Sequence, residues 1–223
     1  MSRSIRAAAR TGLVLGLAAA VLLPVTASAD TPATTPKATT PATTPAVTTV
    51  PVAPATTVAG LLAPYATAFD RDNNNFNVAA HLVLQYPQLV KAAASPGDLT
   101  VFLPTDYAVR RLVREVTGKT VVNEQKLLEA VMRLPGLRFD QLIKYHVVKG
   151  ARLTYSMARK ANGTSVTTVL GVPFKVAAPA GSNRVTLHDL APKRRDPRVV
   201  RADWQATNGV VHVIDAVLLP VAI

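Results

Sequence analysis

The chain contains no cysteine. That removes disulfide frameworks, thiol nucleophiles, Cys-ligated zinc, iron–sulfur clusters and lipid attachment through an N-terminal cysteine. Aromatic residues make up only 5% of the chain while 49% is apolar, so a core must be built mainly from aliphatic side chains. Histidines number four: His81, His146, His188 and His212. There is no G-x-S-x-G, and Ser95, Ser156, Ser165 and Ser182 fall in loop or hairpin contexts, which leaves no nucleophile beside a base. The His/carboxylate neighbours are His188-Asp189 and His212 with Asp215, and strand parity sends the latter two to opposite faces. A metal site would need three imidazoles to converge from separate elements, and no spacing requires it. No catalytic residue, metal site or cofactor is expected.

Acidic residues are scarce too, 13 against 25 Lys and Arg, for a formal charge of +12. Three of those cations, Arg3, Arg6 and Arg10, precede an apolar run from Leu13 to Leu23, then Pro24 and an Ala27-Ser28-Ala29 cleavage pattern. This is the layout of a secretory signal peptide over residues 1–29, and its removal lowers the charge by three, to +9. The uncharged run is about 14 residues, short of the roughly 20 needed to span a bilayer. No later stretch is long enough, so no transmembrane anchor is expected in the mature chain. Residues 30–57 follow as a Thr/Pro/Ala tract with Pro at 32, 36, 41, 45, 51 and 54. Such a tract lacks the apolar surface to offset chain entropy, and is expected to be a disordered stalk reaching roughly 80–90 Å if extended. Its threonines are possible carriers of O-linked sugar.

Residues 58–223 have the length of one domain. Helical periods come first. Phe76, Ala79, Ala80, Val83 and Leu84 mark one helix, and Pro87 restarts another with Leu89 and Val90. A short buried strand, Leu99–Leu103, ends at Pro104, and Thr105 or Asp106 caps a helix with Val109, Leu112, Val113 and Val116 on one face. Asn123 caps a helix carrying Leu127, Leu128, Val131 and Met132, and Phe139–His146 forms the last. Strand signals then take over at Thr164–Leu170, Phe174–Ala178, Val185–His188, Val199–Trp204 and Val210–Leu219, with Asn208-Gly209 as a positive-φ turn before the final strand. That strand is apolar on both faces and must be covered on both. The pattern predicts an α+β domain, a β-sandwich or wedge with N-terminal helices packed on the sheets.

Three segments carry a resemblance. Thr100-Val101-Phe102-Leu103-Pro104-Thr105-Asp106-Tyr107-Ala108, Tyr145-His146-Val147-Val148, and Asn208-Gly209-Val210-Val211-His212-Val213-Ile214-Asp215-Ala216-Val217-Leu218-Leu219-Pro220 are similar, in that order, to signatures of the fasciclin domain family. Leu103 stands where that family usually has Ala and Val109 where it often has Phe, and residues 119–138 and 189–201 carry additional sequence. The resemblance implies a fasciclin-like fold in which Thr100, Phe102, Pro104, Thr105, Asp106, Asn208, Gly209, His212, Asp215 and Pro220 are architectural. It also implies that Tyr145 and His146 border a contact region, as in animal adhesion proteins.

For function, positive charge draws the chain to anionic surfaces, export argues against intracellular nucleic acid as the working partner, and an extracellular protein or an anionic envelope polymer is the expected partner. Lys193, Arg194, Arg195 and Arg198, stiffened by Pro192 and Pro197, are the candidate anion-docking residues. The leading expectation is a secreted or cell-surface adhesion or matrix-interaction module without catalysis. The alternative is an extracellular carrier of a small apolar ligand, such as a carotenoid or lipid, in a cleft between helices and sheet.

Overall fold

A computed structural model describes residues 56–221 of the protein. The expected signal peptide, and the stalk up to residue 55, lie outside the described residues. Strand β1 (Leu99–Pro104) is buried at all six positions, and so is β7 (Gly209–Ile214). They pair in parallel, Leu99 opposite Gly209 and Pro104 opposite Ile214. Flanked by β2 (Val147–Lys149) and β6 (Val199–Ala206), both antiparallel, they form a sheet of order β2-β1-β7-β6. A second antiparallel sheet has the order β3-β4-β5, from Ser165–Thr167, Pro173–Ala177 and Thr186–His188.

Both faces of the β1–β7 pair are covered, as its composition demands. Val101, Leu103, Val211 and Val213 pack with Phe76, Leu62 and Ala80 from α1 (Val58–Leu62) and α2 (Asn77–Leu84). On the opposite face Phe102 and Ile214 meet Phe174, Val176 and Leu187 of the second sheet. A third cluster joins α2, α4 (Asp106–Thr117), α5 (Glu124–Met132) and α6 (Phe139–Tyr145) around Leu112, Leu127, Leu142 and Val217. Burying each such side chain stabilises the fold by about 1.5–3 kcal/mol. The result is the expected α+β sandwich, helices on one side and a second sheet on the other.

Local differences have local causes. Helix α2 contacts two clusters rather than one, with Val78 and Leu82 turned to α4 and α5, and Phe76, Ala79 and Ala80 to the sheet. Val78 and Leu82 thus replace Leu84 among its buried residues. Met132, at the end of α5, is exposed rather than buried. Helix α3 (Pro87–Ala94) restarts at its proline as expected. Helices α1 and α7 (Tyr155–Lys160) were not anticipated, because five- and six-residue segments carry too little periodicity. Thr57 and Thr154 mark their starts by accepting Gly60 N and Met157 N.

The turn before β7 is also a correction. Ala206 pairs with Gly209, so the two turn residues are Thr207 and Asn208, and neither Asn208 nor Gly209 has positive φ. Gly209 is required for another reason: a Cβ there would lie 2.5 Å from the Leu99 carbonyl oxygen. Strand β7 ends at Ile214, short of the expected Leu219: Asp215 N still donates to Arg198 O, but the amides of Leu218 and Leu219 turn to side chains. Leu218 N donates to His146 Nε2 and Leu219 N to Asp189 Oδ2. The positive φ in this region sits instead at Asp203, inside an irregularity of β6.

Candidate functional site

The signature segments turn their polar atoms inward. Thr100 Oγ1 donates to Ala151 O and accepts from Leu153 N, both at 2.8 Å. Thr105 caps α4 by accepting Ala108 N at 3.2 Å. Asp106 does not cap its own helix. Its two oxygens accept Asn77 N at 3.1 Å and Val78 N at 3.0 Å, supplying the cap that α2 lacks. Asp106 is 0% exposed, and burial pushes its carboxyl up to about 7, against those two amides. Asn208 accepts Val58 N at 2.8 Å and donates to Ala93 O and Ser95 O, tying α1 and the end of α3 to the β6–β7 turn. Pro104 and Pro220 are buried at the ends of their segments.

Two histidines hold opposite tautomers. His146 Nδ1 donates to Leu142 O at 2.8 Å, and its Nε2 accepts Leu218 N at 3.1 Å. His212 does the reverse: Nε2 donates to Leu153 O at 2.7 Å, and Nδ1 accepts Asp203 N at 3.2 Å. The His212 ring also stacks on Phe102, centroids 5.6 Å apart. Burial keeps both rings neutral, lowering His146 to about 4 and shifting His212 the same way. Neither ring has a nitrogen to spare for substrate or metal.

Tyr145 and His146, read as the border of a contact region, are 0% and 6% exposed. Tyr145 OH donates to Pro173 O at 3.1 Å and its ring meets Phe174 edge-on. Tyr145 joins α6 to the second sheet and His146 joins it to the C-terminal segment, and a partner approaching from outside meets neither. The ring of His188 pairs with Asp196 at 2.7 Å rather than with Asp189, whose carboxylate accepts the Ala191 and Leu219 amides. Among the described residues no three His, Asp or Glu side chains are placed to hold a metal ion.

The basic loop lies outside, between β5 and β6. Arg194 reaches Glu115 of α4 at 2.9 Å, and Arg195 pairs with Asp215. Asp215 also accepts Arg198 N at 2.8 Å, so this signature carboxylate braces the loop. Lys193 and the Arg198 side chain are exposed and form no ion pair among the described residues. The four cations are therefore two pairs with different surroundings, one neutralised locally and one facing solvent.

A cleft between helices and sheet, as the carrier alternative requires, is present. About 320 Å³ in volume, it lies between α1 and α3 on one wall and β1, β2 and α6 on the other. Its walls include Leu62, Leu89, Ala92, Leu99, Val101 and Val147, and Lys144 and Lys149 stand at its edge. An apolar void of about 50 Å³ lies behind it, among Leu82, Leu103, Leu142 and Val217. The two share Val83, Val101, Ile143 and Val147 as a common wall. The signal for it was weak, because the wall residues are scattered between positions 58 and 169.

Comparison with known proteins agrees with this architecture. The family model of the fasciclin domain matches residues 74–220. Protein sll1483 of Synechocystis sp. is 32% identical over 137 residues, 59% of this chain and 61% of that protein. Mouse stabilin-2 is 30% identical over 131 residues, 59% of this chain and 4% of its own length. The chain thus spans less than two thirds of either relative. Among solved structures, the FAS1 domain pair of the insect cell adhesion molecule Fasciclin I aligns with a TM-score of 0.51 at 19% identity, covering 74% of this chain and 51% of that one. That likeness is one of fold.

Proposed function

The chain belongs to the fasciclin domain family, and on that premise we propose that it works as an exported, non-catalytic interaction module that meets an extracellular protein or anionic envelope polymer through its outer surface. The observation that carries this reading is the inward commitment of the signature residues. Thr100, Asp106, His146, Asn208 and His212 are all buried and hydrogen-bonded within the fold. Conserving their geometry builds a scaffold, and recognition is left to exposed groups. The solved neighbour is described as a cell adhesion molecule, which fits the same use of the fold. The N-terminal residues support export, with cleavage after Ala29.

Lys193 and Arg198 are the proposed anion contacts, with Arg194 and Arg195 bracing the loop through Glu115 and Asp215. The test is retention of the chain from Asp30 onward on intact cell-envelope fractions at low and high salt. Lys193→Gln with Arg198→Gln should reduce retention at low salt and leave the high-salt value unchanged, as expected for screened contacts. Retention equal to wild type at low salt refutes the anion-docking role.

The cleft favours a second reading, carriage of a small apolar ligand. Its volume falls at the low end of the roughly 300–1,000 Å³ typical of ligand sites, and its walls are mostly apolar. Apolar compound recovered with the purified protein by mass spectrometry supports this reading, and its absence from protein purified out of the native host refutes it.

A further inference from the structure

We infer that the α1/α3–β1/β2 cleft takes a free long-chain carboxylate, its chain between Leu62, Leu89 and Val101 and its head group on Lys149. This rests on the carrier reading and names its ligand. The walls are mostly apolar and can bury the methylenes of an extended chain. Burial of successive methylenes adds up along a chain, so a chain suffices for affinity. The edge then decides what the end of that chain carries.

Lys149 ends β2 at the cleft edge, is exposed, and forms no ion pair among the described residues. Lys144 also lines the cleft, 3.9 Å from Asp140, too long for a tight pair. Among the described residues the carboxylate lining the cleft is Asp98, which is directed to Arg152, 3.4 Å away. The edge therefore presents surplus positive charge next to an apolar slot, which complements a carboxylate at one end of an aliphatic chain. A neutral apolar ligand would leave that charge unused. Val83, Ile143 and Val147 divide the cleft from the inner void, and rotamer changes in these three side chains would extend the slot toward Leu103 and Leu142.

The experiment compares dodecanoate with dodecan-1-ol, both below micellisation, by equilibrium dialysis against the chain from Asp30 onward. Wild type should bind one dodecanoate per chain. Lys149→Glu should weaken that binding at least tenfold and leave dodecanol unchanged, and Ala92→Trp should abolish both by filling the slot. Ala92 and Lys149 are exposed, and thermal melts matching wild type will show that the variants fold. Dodecanoate binding that survives Ala92→Trp overturns the inference. If dodecanol binds as tightly as dodecanoate, and Lys149→Glu changes neither, the head-group assignment falls while the carrier reading stands. If neither compound binds, both fall.

Discussion

Acidification should unlock the joint made by His146. Its Nδ1–H is given to Leu142 O in α6, and its Nε2 receives Leu218 N from the C-terminal segment. A proton added at Nε2 places a donor against a donor inside the core. The folded ring consequently resists protonation, with its value lowered from 6.5 to about 4 by burial. A histidine whose folded value lies below its unfolded one is fully tolerated above about 6.5, and costs stability as pH falls from there toward 4. At about 1.4 kcal/mol per pH unit, and with the folded ring half protonated at the end of that range, the loss is about 3 kcal/mol by pH 4. Raised carboxyls act in the opposite sense. Asp106, Glu124 and Asp189 take up protons more readily folded than unfolded, which favours the folded state as pH falls. A melting profile of wild type alone would mix these effects, so the useful quantity is a difference. His146→Gln keeps a donor and an acceptor but does not titrate. Urea unfolding of both proteins between pH 7.5 and 4 should show wild type losing about 3 kcal/mol relative to the glutamine variant. A difference that stays flat over that range refutes the assignment. Nitrogen-15 shifts of the imidazole give an independent check, since they should report the Nδ1–H tautomer down to about pH 5.

Two further outcomes test the scaffold. Gly209→Ala puts a Cβ 2.5 Å from a backbone carbonyl that belongs to the parallel partner strand, so it should destabilise by about 1–3 kcal/mol in urea titrations; a neutral result would show that β1 and β7 can separate locally without cost. Thr105→Ala should cost about 1 kcal/mol through loss of the α4 cap, and Asp106→Ala should disturb α2 rather than α4. Amide exchange can tell these apart: faster exchange at Asn77 and Val78 is expected only for the Asp106 variant, and acceleration confined to α4 would contradict the cap assignment.

Periodicity and turn chemistry determined the helix-then-strand order, a cap at Thr105 or Asp106, the cap at Asn123, the restart at Pro87 and the two-sided burial of the last strand. These are properties of neighbours along the chain, set by side-chain spacing and backbone preference, and they survive without knowledge of the rest. Asp106 shows where that reasoning stops, because its position suggested a cap for the helix it begins, and only packing brings the amides of residues 77 and 78 to it. Gly209 is similar: its need comes from a carbonyl 110 positions earlier, not from its own φ. Tyr145 went inside because the second sheet packs on it, and His146 because the C-terminal segment brings Leu218 N to its ring. A cleft between helices and sheet was expected only as an alternative, and its wall residues could not be named, since they come from α1, α3, α6 and two strands and no local pattern joins them. Local interactions specify elements, whereas hydrogen-bond partners and hollows depend on distances between elements, and those are decided only when the layers pack.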